Sequence, residues 1–223
     1  SLTRPVLAAA ATVWILSGVY ILEPGEIGII ERFGRKVSPF AEPGLHYKFP
    51  APIERLTRVR AKRVRTIEVG FRTLLLPDAV SETGQFLEPP AYEWNVQHRM
   101  GRFERKPDES LMLTGDQNMI EMTAVVHYRL SKPDDFVFQQ FDPLATLQVA
   151  AESVIQRIVN STPLDDLLTT QRRALEEEAA RRLHRLLRRY QSGAGVLQVC
   201  FQDVHPSVEV VDAFREVAGA MEE

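Results

Sequence analysis

The chain is poor in the residues that catalysis and metal binding usually need. It has one cysteine, Cys200. No intrachain disulfide and no cysteine-based metal cluster can form. The five histidines (His46, His98, His127, His184, His205) lack any partner at i+3 or i+4, so no helical zinc pair exists. No phosphate-binding loop, zinc motif, nucleophile elbow or internal repeat is present. A net charge of −3 in 223 residues excludes a chain that is polyanion-binding as a whole and a disordered acidic tail. A lone cysteine in an apolar stretch reads first as a small core residue. The carboxylate pairs Asp134/Asp135 and Asp165/Asp166 stand at helix starts, where the helix dipole accounts for them. The sequence offers no credible active site, cofactor site or metal site.

What it does have is an uncharged run. From Pro5 to Leu22 no residue is charged. As one helix this run is about 27 Å long, close to a hydrocarbon core of about 30 Å. The reading is a retained membrane anchor over residues 1–24, carried by Val6, Leu7, Val13, Trp14, Ile15, Leu16, Val19, Tyr20, Ile21 and Leu22. Tyr20 suits the interface. A cleaved signal peptide and a buried core helix are the alternatives. The alanine cluster stands at the start of the run rather than at a cleavage site, and no polar face is evident. Flanking charge leaves orientation open: Arg4 against Glu23 and Glu26 favours a cytoplasmic N-terminus, while Arg32, Arg35 and Lys36 oppose it. Ser1 in place of Met points to native sequence upstream.

Beyond the run, the remaining length can bury one good core or two small ones. Glu23 to Glu26 reads as a turn and Ile27 to Phe33 as a strand. Gly34 to Lys36 reads as a hairpin loop, Ser38 to Gly44 as irregular, and Leu45 to Phe49 as a strand ended by Pro50. Arg55 to Arg72 reads as a long β segment, with Val64 out of phase at a bulge or bend between two halves. Thr73 to Ser110 is an aperiodic insertion, with Ala91 to Gln97 as one possible hairpin arm. Leu111 to Thr114 and Asn118 to Leu130 form a hairpin. Ile120, Met122, Ala124, Val126, Tyr128 and Leu130 share one face of its second arm.

Helices follow. Pro133 to Gln139 is a short one. Asp142-Pro143 caps a helix running to about Asn160. Thr162-Pro163 opens a third, carrying Leu164 to Tyr190 at helical spacing, with Glu176 to Glu178 ahead of Arg181 to Arg189. Val196 to Val204 is a strand. A last amphipathic helix places Val208, Val211, Phe214, Val217, Ala218 and Met221 on one side.

The Arg55–Arg72 segment is strongly basic. Arg55, Arg58, Arg60, Lys62, Arg63 and Arg65 could meet lipid headgroups, form salt bridges between subunits, or simply be solvated. Nucleic acid is disfavoured because stacking aromatics are not interleaved.

The order of motifs resembles the SPFH (band 7, prohibitin-like) family, and within it the HflK branch. The matching stretches are Glu23-Pro-Gly-Glu-Ile-Gly-Ile-Ile-Glu-Arg-Phe-Gly-Arg35, Glu42-Pro-Gly-Leu-His-Tyr47, Pro52-Ile-Glu54, Val69-Gly-Phe-Arg72 and Met112-Leu-Thr-Gly-Asp-Gln-Asn118. Further along come Val126-His-Tyr-Arg-Leu130, Asp142-Pro143, Ala150-Ala-Glu-Ser153, Gln202-Asp-Val-His-Pro206 and Val210-Val-Asp-Ala-Phe-Arg215. The stretch from Leu74 to Glu109 looks longer than the corresponding family loop. The resemblance implies an α+β fold behind a transmembrane helix, with a twisted, mostly antiparallel sheet and packed helices. Its first subdomain spans 25–115 with the insertion at about 73–110. The second spans 116–205, and a C-terminal helix starts at 206–223. It also implies a single-pass protein of a bacterial inner membrane with its bulk in the periplasm. Copies of the chain, an HflC-like partner, or both would form a ring or cage that modulates a membrane AAA protease of the FtsH type. No enzymatic activity is implied. An anchor that holds copies in a plane suits such assembly, because weak lateral contacts multiply and closed head-to-tail contacts make rings. The alternatives are a lipid-microdomain organiser, a sensing receptor that binds through the Thr73–Ser110 insertion, and a membrane-tethered hydrolase using Cys200 or a histidine.

Overall fold

The computed structural model describes residues 3–73, 103–169 and 171–206. In chain order the first half holds α1 (Thr3–Leu16), β1 (Val19–Leu22), β2 (Glu26–Arg32), β3 (Arg35–Ala41), β4 (Gly44–Tyr47), β5 (Glu54–Arg60), β6 (Arg65–Val69) and β7 (Phe71–Thr73). The second half holds β8 (Phe103–Arg105), α2 (Pro107–Ser110), β9 (Leu111–Leu113), β10 (Met119–Leu130), α3 (Pro133–Phe138), α4 (Pro143–Val159), α5 (Leu164–Leu168), α6 (Arg172–Arg189) and β11 (Ala194–Pro206). The class is mixed α/β, and every strand pairing is antiparallel.

The uncharged run is not one helix. It divides into α1 and β1 around Ser17-Gly18. The Ser17 hydroxyl donates to the Trp14 carbonyl at 2.6 Å, and Lys48 N–H donates to Gly18 O at 2.9 Å. A Cβ at Gly18 would lie 2.1 Å from Lys48 O, so only glycine lets the chain pass there. Beyond it, β-branched Val19 and Ile21 favour a strand. Among the described residues no helix is long and apolar enough to cross a membrane.

Two apolar layers stack on the three-stranded sheet β3-β2-β5. On one side the β1–β4 ribbon packs Tyr20 and Leu22 with Ala41, Ile30 and Leu56. Gly28 makes the close approach possible, because a Cβ there would meet Leu22 at 2.9 Å. On the other side Ile29, Val59 and partly buried Ile27 join the main core. That core is centred on β10, which pairs with β6, β9 and β11. All six apolar-face residues, Ile120 to Leu130, are buried. Helix α4 contributes Leu147, Ala151, Val154, Ile155 and Ile158 to it, and α6 contributes Ala179, Leu183 and Leu187. The Asp142 carboxylate accepts from Ala145 N–H at 2.9 Å, the N-cap that the sequence implies.

Four further expectations are corrected. The hairpin loop expected over Gly34–Lys36 is a tighter Phe33-Gly34 turn with φ +48° and +78°, and Arg32 pairs directly with Arg35. Two positive φ values match the right-handed strand twist. The stretch from Ser38, expected to be irregular, is strand as far as Ala41, with a register shift that accommodates Pro39. The long basic segment is two strands in two sheets, β5 beside β2 and β6 beside β10, so of the two alternatives at Val64 the break between halves holds and the bulge within one strand does not. The third helix is broken between α5 and α6 around Thr169, whose φ and ψ are −114° and −139°. The expected hairpin arm Ala91–Gln97 and the last amphipathic helix lie outside the described residues.

Candidate membrane-facing surface

Strand alternation sets the chemistry of the β1–β4 ribbon. In register, Val19 faces Tyr47, Tyr20 faces His46 and Ile21 faces Leu45. Tyr20 and Leu22 point inward and are buried. The residues between them point out: Val19 is 50% exposed, Ile21 64%, Leu45 69% and Tyr47 50%. These four side chains form two cross-strand pairs on one outer face, with no polar residue between them. Phe49 extends the face, its ring edge-on to Tyr47 with centroids 6.5 Å apart. Monomeric soluble proteins rarely leave such a contiguous patch to water.

Helix α1 continues this surface. None of its residues is buried; Leu7 and Val13 are among the most exposed. The Trp14 indole N–H donates to Ala51 O at 3.0 Å, which ties the end of the helix to the loop after β4. From Pro5 in α1 through Leu16 to Val19 and Ile21 the chain carries no charged residue. Of the ten expected anchor residues, Val6 to Leu16 share the helix and Val19 and Ile21 share the outer ribbon face. Tyr20 and Leu22 are turned into the protein. Sequence reasoning missed Leu45, Tyr47 and Phe49. Their alternation with His46 and Lys48 was visible, but the exposure of the apolar side follows only from the pairing with β1.

The basic residues are partly gathered beside the ribbon. Arg58 and Arg60 lie on the β5 face that the ribbon covers, opposite Gly28 and Glu26. With Arg63, Val64, Arg65, Thr66 and Glu26 they line a groove of about 530 Å³. Arg60 donates to the buried Glu26 carboxylate at 3.2 Å and reaches Glu23 at 3.4 Å. Arg65 lies over the Phe136 ring, 5.8 Å from its centroid. Arg58 and Arg63 form no ion pair among the described residues. Arg55 and Lys62 stand outside the groove. The buried Glu54 accepts from Arg32 Nη2 at 2.7 Å and from Phe49 N–H at 2.8 Å, while the same guanidinium lies over the Phe49 ring at 5.2 Å. Arg32 thus stands at the edge of the apolar face, beside Phe49.

Cys200 is not set up as a nucleophile. Burial, and then the Glu176 carboxylate, push the Cys200 thiol above its ordinary value, the opposite of activation. Among the described residues no group of three His, Cys, Asp or Glu could hold a metal ion.

Residues 20–223 match the SPFH domain / Band 7 family. The chain is 31% identical over 213 residues to the protein HflK of Treponema pallidum, covering 95% of this chain and 58% of that protein. It is 26% identical over 215 residues to a protein of Escherichia coli K12 named modulator of FtsH protease HflK, covering 96% and 42%. With HflK of Haemophilus influenzae the identity is 24% over 217 residues, covering 97% and 43%. The chain therefore spans about half the length of the curated relatives it matches. The matched region opens at Tyr20, inside β1, so all of the ribbon but Val19 lies within it and α1 precedes it. The chain belongs to the SPFH domain / Band 7 family.

Proposed function

We propose that this chain is the membrane-apposed module of an HflK-type regulator that controls a membrane AAA protease of the FtsH class without catalysis of its own. The observation that carries this reading is the exposed apolar outer face of the ribbon, with the exposed apolar helix α1 directly before it in the chain. Burying a Leu or Ile side chain in an apolar phase stabilises by about 1.5–3 kcal/mol. Ile21 and Leu45, with Val19 and Tyr47 beside them, thus give the domain a reason to lie on a bilayer. The groove arginines add headgroup attraction of about 1 kcal/mol each. Helix α1 serves as all or part of a single membrane span, with the bulk of the chain in the periplasm of a bacterial inner membrane. Copies held in that plane, alone or with an HflC-like partner, assemble into a ring or cage that limits access of substrates to the protease. The similarity to a relative named as a modulator of FtsH protease supports the protease assignment.

The test is a degradation assay. An FtsH-class protease is reconstituted in vesicles with a membrane substrate, with and without this protein in its native-length form. Slower or redirected substrate turnover, with no peptide cleavage by the protein alone, is the expected result. Unchanged turnover at saturating protein would overturn the assignment.

A further inference from the structure

The passage from β5 to β6 gathers more positive charge than the protein itself neutralises. Arg58 and Arg60 are two apart on β5 and share a face. The chain then leaves one sheet for the other through residues 61–64. Ala61 is buried in the main core, while Arg63 and Val64 are exposed. Strand β6 opens with Arg65 and Thr66. These residues, Ala61 apart, line the groove of about 530 Å³ together with Glu26. Small-molecule sites fall in the same range of roughly 300–1,000 Å³.

Two of the four arginines are held in place. Arg60 stands opposite Glu26 in the β2–β5 register, and Arg65 stands opposite Tyr128 in the β6–β10 register with its guanidinium over Phe136. The carboxylates of Glu26 and Glu23 both go to Arg60. Arg58 and Arg63 are left without an ion pair among the described residues. A cleft lined by one sign of charge repels itself and concentrates counter-ions. Half of this one is fixed in advance, and the other half is free to close on a ligand.

Guanidinium chemistry narrows the choice of ligand. The planar fork matches phosphate oxygens with paired hydrogen bonds. No aromatic side chain lines the groove, which removes the stacking platform that single-stranded nucleic acid uses. Four guanidiniums against the one carboxylate of Glu26 favour a dianion over a monoanion. A phosphomonoester carries about −1.5 to −2 charge at neutral pH and presents three acceptor oxygens. A phosphodiester carries a single charge and has fewer free oxygens.

We propose that the β5–β6 groove is a discrete site for a phosphomonoester, borne by a lipid headgroup or by a soluble molecule. In its lipid form the inference rests on the membrane reading above; in its soluble form it stands alone.

The experiment has two arms. The full chain in neutral detergent is titrated with glycerol phosphate by calorimetry. It is also bound to phosphatidylcholine vesicles that contain phosphatidic acid or, at equal surface potential, phosphatidylglycerol. Saturation in the first arm assigns a soluble ester. A preference for phosphatidic acid in the second arm alone assigns a lipid, and it should be about tenfold, the worth of one extra charge-assisted hydrogen bond. Arg58→Gln with Arg63→Gln should abolish whichever signal is seen. Arg58→Lys with Arg63→Lys, which keep the charge and lose the fork, should recover part of it and so separate lost contacts from misfolding. Arg55→Gln with Lys62→Gln make the same change in charge outside the groove and should leave the signal intact. Neither saturation nor a lipid preference would overturn the proposal, and so would equal losses from the two glutamine pairs. Binding to plain phosphatidylcholine vesicles reads the apolar ribbon, so a failure of the membrane reading shows there and a failure of the phosphate site does not.

Discussion

Gly70 sits at φ +85°, and a Cβ there would lie 2.7 Å from Met122 O. Its N–H donates to Glu109 at 3.2 Å and its carbonyl accepts from Lys106 N–H at 3.0 Å. That one residue turns β6 into β7 and holds α2 against the main sheet. Gly70→Ala should therefore destabilise by roughly 1–3 kcal/mol, read as a lower urea midpoint at unchanged slope. Asp116 carries a second long-range link. Its carboxylate accepts from Leu164 N–H at 3.2 Å and from the Thr114 hydroxyl, and these bonds, the hydroxyl first, hold its pKa below the ordinary carboxylate value. A depressed folded-state pKa means the stabilisation is present above the unfolded value of about 3.9 and is lost as pH falls through the folded value. Asp116→Asn should lower the melting temperature by a few degrees at neutral pH, and the gap to wild type should close under strong acid. A gap that persists there would contradict this role. The Asp142 cap was legible because its partner is three residues away. The Asp116 bond to Leu164 was not, since a turn motif does not reveal a partner 48 residues distant.

At the scale of elements, pattern was readable wherever one face is buried and the other is wet. Strand β10 is the clear example: its buried residues recur at every second position, with Val125 alone added from the other face. The Pro5–Leu22 run has no such contrast. A lipid-facing helix and a half-buried ribbon both demand apolar residues, so hydropathy alone joined α1 to β1. Gly18 and the β-branched residues after it were the available signals. Much the same happened between β5 and β6, where alternation fixed the faces but not which sheet each strand joins. On α4 the residues at helical spacing divide: Ala151, Ile155 and Ile158 are buried, whereas Leu144 is 55% exposed. Ile155→Ala should cost about 2–5 kcal/mol in chemical denaturation, whereas Leu144→Ala should leave the midpoint nearly unchanged.

For the whole molecule, the layers matter more than any single residue. The ribbon lies on the three-stranded sheet, whose other face joins the main core. The helices α4 and α6 pack into that same core. The apolar outer face of the ribbon and these helices therefore belong to different layers. Sequence alone marked the basic residues but not their division. Arg58, Arg60, Arg63 and Arg65 share one groove, and Arg55 and Lys62 lie outside it. Replacing Arg58 and Arg63 with glutamine should weaken binding to anionic vesicles by about 1 kcal/mol per arginine, and neutral vesicles should register no change. Equal losses on both would remove the headgroup role.

The most direct test of the membrane-facing surface is a depth measurement on the full chain in liposomes. With Cys200 replaced by serine, a spin label is placed at position 21 or 45 on the ribbon, or at exposed Leu197 on β11 as a reference. Labels at 21 and 45 should be relaxed by dissolved oxygen and shielded from aqueous nickel, and the label at 197 should behave in reverse. Ribbon labels as open to nickel as the reference would contradict the account.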